Sequence, residues 1–449
     1  MPSPQGEGRR DSCRSPFGNN GRVKDPAASA VLRRPEGASF AALRHAEFRA
    51  YFVTGMLTMM ADNIEHVISY WVIFEAFRSP ALAGFAVISH WLPHLVFGMA
   101  IGALADRHDC RRILQVSQLV FIGVSVAWAV LFLTGTLQTW HAMILLVAHG
   151  CAGALRGPAS QLIIHDIVGR GDLQSAVRLN STGRQLGSLF GPAVGGVLLV
   201  IVGPAVGLAI NCLAYLPMVV WLQRTPFSGH LHATAGPGQA RFGLGDAMRT
   251  LREVAGNRAV VLMVALSGIT SLLVGNAFQA QMPEFASDFT VARGEITYSA
   301  LLAASAAGAA LGGVLIESSP FLRQPRAQSA IVLAALWSLA IGVFAVAPGY
   351  PVALGALFVA GFLSLAFGSI AQTLVQLEAP PDRRGRVVGL FGMSSQGLRV
   401  GSGVTVGILG SFIGIHASLG LSAAVLLVLC LGLLALADRG TPAVPRGSA

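Results

Sequence analysis

Residues 102–112 read GALADRHDCRR, a short charged turn carrying Asp106, Arg107, Asp109, Arg111 and Arg112. Apolar runs flank it at 82–104 and 112–134. Each is long enough to cross the hydrocarbon layer as a helix, which takes about 20 residues. A charged turn between two such runs reads as a hairpin of membrane helices, and the pattern repeats outward in both directions. One run precedes it at 52–76, and three follow at 140–165, 183–203 and 205–223. A second set lies at 259–283, 297–318, 328–347, 351–376, 387–413 and 415–437.

Composition agrees with that reading. Hydrophobic residues make up 53% of the 449 positions and charged residues only 12%, with a mean hydropathy of +0.64. A soluble domain carries about 25% charged residues, and so few could not cover the surface of a chain this long. The expected fold class is therefore an all-α membrane protein of twelve transmembrane helices in two six-helix halves, 46–223 and 259–437. A polar linker, 224–258, separates them. Residues 1–45 hold eight Lys/Arg and no apolar core, which predicts a disordered cytoplasmic tail. A second short tail is expected at 438–449.

The net charge of +10 and pI near 10.2 would raise nucleic-acid binding in a soluble protein. Here the basic residues fall in the tail, the linker and alternate loops, with Arg78 and Arg293 alone on the other side. By the positive-inside rule, this places both termini in the cytoplasm and the chain in the inner membrane, and argues against a nucleic-acid partner. The five cysteines are scattered without CxxC spacing, which argues against a disulfide framework or a zinc knuckle.

Two motifs carry a family resemblance. GALADRHDCRR between the second and third runs resembles the signature loop of the major facilitator superfamily. The resemblance implies a gating loop in which Gly102 lets helices approach, Asp106 caps or pairs across the gate, and Arg107, Arg111 and Arg112 hold the cytoplasmic face. GSLFGPAVGG at 187–196 resembles the fifth-helix signature of exporters in that superfamily. Its Gly187, Gly191, Gly195 and Gly196, with Pro192, also fit a plain small-residue packing seam.

The resemblance runs from about residue 45 to 437. FRAYFVTGMLTMMADNIE (48–65), the stretch from Ala154 to Gly196 and APPDRRGRVVGLF (379–391) are similar to the branch containing the enterobactin exporter and drug and macrolide efflux pumps. It implies a monomeric secondary transporter moving a small molecule by alternating access. One departure stands out. Where many proton-driven exporters have Arg and then Gln-Gly in the fourth helix, this chain has Leu146 and then His149-Gly150.

Ionisable residues inside a membrane are costly and therefore functional candidates. Asp62, Glu65 and His66 stand at i, i+3 and i+4 and share one helix face. His90 and His94 do the same in the second run, and Arg156 lies in the fourth. His149, Asn276 and Gln279 are candidate cavity-lining groups.

Three readings of the acidic and histidine cluster stay open: proton or substrate coupling, mutual satisfaction inside the bundle, and a divalent-metal site. The Asp-x-x-x-His spacing of Asp62 and His66 resembles that of the ferroportin iron exporters. Arg156 is expected to meet an anionic substrate or to pair with Asp62 or Glu65. Arg184 and Arg399 are expected to snorkel to the interface.

The function expected is proton-coupled export of a small amphipathic molecule, siderophore-like or drug-like, with protons as the second partner. No GxxxxGK[ST] nucleotide motif or other cofactor signature is present in the sequence. Divalent-metal export through Asp62, His66, His90 and His94 is the first alternative. A non-transporting sensor or a membrane enzyme is the second.

Overall fold

A computed structural model describes residues 40–230, 244–289, 293–318, 326–380 and 384–438. Residues 1–39 of the expected N-terminal tail and 439–449 of the expected final tail lie outside the described residues, as does 231–243 of the linker. Every regular element among the described residues is helical. The first three helices are Ala46–Phe77, Pro80–Arg107 and Cys110–Thr134. Their ends are written in the sequence: Ser79 and Asp109 cap helix starts through their side chains, and Gly135 closes the third helix at φ 64°.

Helical structure then runs from Thr139 to Arg224, turning back at Gly169 (φ 66°) and Gly203 (φ 77°). These glycines take the left-handed conformation that other residues avoid. The segment 165–183, expected as a loop, is helical on both sides of Gly169. Its polar residues alternate with Leu173, Ala176, Val177 and Leu179 at helical spacing, so the helices extend past the apolar layer instead of ending at it.

The linker holds a short amphipathic helix, Leu244–Glu253. The next run is broken: Arg258–Leu273 and Ala277–Ser287 are separate helices, with Gly275 at φ 47° between them. Helices Gly294–Ser318, Ala327–Ala345, Tyr350–Glu378 and Ile415–Asp438 follow the sequence closely. The stretch from Arg384 to Ile413 alternates α- and π-helical turns, with π segments at Met393–Gly397 and Gly403–Ile408.

Among the described residues, nine stretches are helical, long and apolar enough to cross a membrane by composition. The chain is a multi-pass membrane protein. The first helix is not one of the nine because Asp62, Asn63, Glu65 and His66 dilute its apolar content. The Arg384–Ile413 stretch is absent because its π turns cut it into short pieces.

Helices up to Arg224 pack chiefly on one another, as do those from Arg258 onward, and the two groups meet toward the end remote from the basic loops. There Gln281 Nε2 donates to the Pro80 carbonyl (2.9 Å), Tyr298 donates to the Val67 carbonyl (3.1 Å) and Trp71 stacks on Tyr298. Gly84 lies directly against the backbone of Gly403 and Gly407. At the opposite end of the second helix, Val96, Phe97, Leu104, Asp106 and Arg107 are exposed. Among the described residues, the hydrogen bonds between the two groups lie toward the other end.

Candidate functional site

The first helix presents Asp62, Glu65 and His66 inward, as their spacing predicts, and two carboxylates so placed need a counter-charge. His149, from the 139–168 arm, supplies it. Its Nε2 lies 2.8 Å from Asp62 Oδ1 and its Nδ1 2.7 Å from Glu65 Oε1. All three side chains are buried, at 6% exposure for Asp62, 2% for Glu65 and 3% for His149. Ser125 donates a short hydrogen bond to the other Glu65 oxygen. Phe121 meets the imidazole edge-on and stacks on Tyr215, sealing the triad on that side.

Valence fixes the proton count of this arrangement. An imidazolium donates from both ring nitrogens, while a neutral imidazole donates from one and accepts at the other. In the neutral case one carboxyl must hold a proton for its bond to survive. Both descriptions place two protons on the three groups. Removing one proton sets an imidazole lone pair against a carboxylate and breaks a buried hydrogen bond, so the triad has the makings of a protonation-linked switch.

Two further histidines stand beside it. His66 Nε2 lies 3.2 Å from His90 Nδ1, and the His66 ring centroid is 4.7 Å from those of both His90 and His149. One nitrogen from each of His66, His90 and His149 falls within 4.8 Å of the others, a grouping that suits a transition metal. His94 is not in this trio: its Nδ1 bonds the His90 carbonyl at 3.1 Å and its ring packs on Gly153.

The glycine of the His149-Gly150 pair makes the site possible. A Cβ at Gly150 would collide with the backbone of Ser89 and His90, so only glycine lets this helix lie against the second one. The second group repeats the device, with Gly361 against Ser305 and Gly308 against Phe358.

Other expectations turn out differently. Arg156 pairs with neither Asp62 nor Glu65, whose ion pairs run to His149; its guanidinium lies 5.9 Å over the Phe121 ring. Arg399 does not snorkel to an interface: it sits 5.0 Å over Trp91, with its Nε buried. The residue that caps the third helix is Asp109, which also pairs with Arg111 at 2.9 Å, while Asp106 is exposed. Arg111 further bonds the Thr225 carbonyl, and Arg112 is exposed. A Cβ at Gly102 would meet nothing within 4 Å. Among the described residues, no hydrogen bond or ion pair joins this loop to the second group.

Gly187, Gly191 and Gly195 face the first helix, where a Cβ would stand 2.5–3.1 Å from Met56, Met59, Met60, Asn63, Ile64 or Val67 atoms. Gly196 faces Ser299 of the second group, and Pro192 sits within the same helical arm. Asn276 precedes the helix after the break without a side-chain capping bond, its amide oxygen buried and unpartnered, and Gln279 is half-buried.

With the fold and site in place, residues 37–442 match the family described as transmembrane secretion effector. The chain belongs to this family of major facilitator transporters. Among similar proteins, the enterobactin exporter EntS of Shigella boydii is 26% identical over 357 residues, covering 77% of this chain and 81% of the relative. Macrolide efflux protein A of Streptococcus pyogenes is 23% identical, covering 75% and 82%. YfiS of Bacillus subtilis, an uncharacterized transporter of the same type, is 25% identical, covering 75% and 82%.

A bacterial homolog of the human lysosomal transporter Spinster, solved inward-facing and unoccupied, shares the fold at a TM-score of 0.66 and 16% identity. That match covers 90% of this chain and 98% of the other. The nucleoside transporter NupG matches at 0.66 and 14%, covering 88% and 99%.

Proposed function

We propose that this transporter exports a small amphipathic molecule in exchange for protons, with the Asp62–His149–Glu65 triad as its coupling site. Twelve helices in two halves, 46–223 and 259–437, alternate access to a central cavity in the cytoplasmic membrane, with both termini inside. The observation that carries the reading is one imidazole held between two buried carboxylates, where a single proton changes the hydrogen-bond set. That arrangement fills the role left by the absent arginine at Leu146. Export direction is favoured by the relatives named for efflux. Closure of the cytoplasmic end would bring Gly102, Asp106 and Arg107 against the other half, giving the signature loop its gating role.

Reconstituted protein under an imposed pH gradient tests the proposal. Asp62→Asn combined with Glu65→Gln should abolish gradient-driven accumulation yet leave exchange at equal pH, because exchange needs only the loaded carrier to reorient. Continued accumulation by the double variant would sink the coupling role. Failure of the wild-type protein to move any substrate would favour a sensor.

The grouping of His66, His90 and His149 supports a second reading, in which a divalent transition metal is itself the cargo. Tight calorimetric binding of Zn²⁺ or Mn²⁺, lost in His66→Gln and accompanied by metal transport, would favour it over the first.

A further inference from the structure

Inside the bundle, positive charge is left without a partner. Arg399 lies on the Arg384–Ile413 stretch, between the two π-helical segments, a distortion that recurs at functional sites. Its guanidinium covers the Trp91 ring, and its Nε is buried with no hydrogen-bond partner. The Trp91 indole nitrogen and the Asn276 amide oxygen are also buried and unpartnered.

On the first group of helices, Arg156 stands over Phe121, and Arg156 and Arg184 both lie within electrostatic reach of Tyr51. The Trp91 and His94 rings, 5.7 Å apart, link the Arg399 side of the interior to the Arg156 side, since His94 packs on Gly153 within one turn of Arg156. Among the described residues, no carboxylate forms an ion pair with Arg156, Arg184 or Arg399. Asp62 and Glu65 are both occupied by His149.

We infer that the cavity selects amphipathic anions, with the acidic group of the substrate seated between Arg399 and Arg156 and its apolar body against Trp91 and Phe121. This rests on the exporter reading and narrows its substrate class. A guanidinium held in a bundle without an anion carries an uncompensated desolvation cost, and an entering carboxylate, sulfonate or phosphate relieves it. An entering cation adds to it. Trp91 contributes twice: its face stabilises the Arg399 cation while the site is empty, and its free indole N–H is a further donor to an oxyanion. Arg184, exposed and within electrostatic reach of Tyr51 and Arg156, extends the positive potential beyond Arg156.

Matched dansyl probes test this with the purified full-length protein: dansylglycine carries a carboxylate and dansylcadaverine an ammonium on the same fluorophore. Dansylglycine should bind the wild-type protein about tenfold more tightly than dansylcadaverine, the advantage of one charge-assisted contact. Arg399→Gln and Arg156→Gln should each remove most of that preference while melting at or above the wild-type temperature. Arg399→Lys should keep part of it. Dansylglycine binding no tighter than dansylcadaverine, or a preference intact in the Arg399→Gln, Arg156→Gln double variant, overturns the inference. Transport of dansylcadaverine in preference to dansylglycine by inside-out vesicles would leave export standing and remove only the anion selectivity.

Discussion

His149 holds two carboxylates that would otherwise face each other in a medium with no water to screen them. Removing one member of such a buried set typically costs about 3–5 kcal/mol, because the remaining charges are stranded. His149→Ala should therefore lower the melting temperature in detergent substantially. Adding Asp62→Asn and Glu65→Gln should recover much of the loss, since neutral amides no longer need a cation. An unchanged melting temperature in His149→Ala would mean that the imidazole does not hold the site together. The two carboxylates and His66 were legible in the sequence because i, i+3, i+4 spacing fixes a helix face. The central place of His149 was not, because its partners lie 84 and 87 positions away and periodicity carries no information across helices. The signal available was the neighbouring glycine: Gly150 marks where this helix lies against the second one, and His149, about 100° round the helix, turns from that contact toward the first.

Glycine content separates into two kinds at the level of helices. Gly191 meets Asn63 and Met60 of the first helix so closely that a methyl group would stand 2.5 Å from the Asn63 Cβ, whereas Gly157 and Gly123 have nothing within 4 Å. Gly191→Ala should destabilise by roughly 1–3 kcal/mol through overpacking. Gly157→Ala should be neutral or gain about 0.5–1 kcal/mol from the stiffer helical backbone. Thermal melts of the two variants side by side check the contrast, and equal effects would remove the seam. Most helix limits followed from apolar length and capping residues. The break near Gly275 and the π turns around Arg399 did not, since both arise from packing between helices: Ser271 and Thr405 bond backbone carbonyls across the contact, a choice no single segment records.

Across the whole molecule, the loop carrying Arg111 and Arg112 lies at the end remote from the Gln281–Pro80 and Tyr298–Val67 contacts between the groups, and the positive-inside rule would put that end in the cytoplasm. Cysteine at Gly349, in a background without the native cysteines, should react with an impermeant thiol reagent from outside the cell, and cysteine at Glu378 should not. The reverse pattern would invert the orientation. At the far end, Gly84, Gly403 and Gly407 bring the two groups together backbone against backbone. A membrane is an electrical insulator, and under the proposed exchange three glycines are its insulation at this point. Flat surfaces of this kind have no rotamers with which to loosen by degrees, so the contact is either shut or broken. If the proposed proton exchange holds, one added methyl group at Gly407 would wedge this contact apart and turn a pump into a short circuit that drains the gradient it runs on.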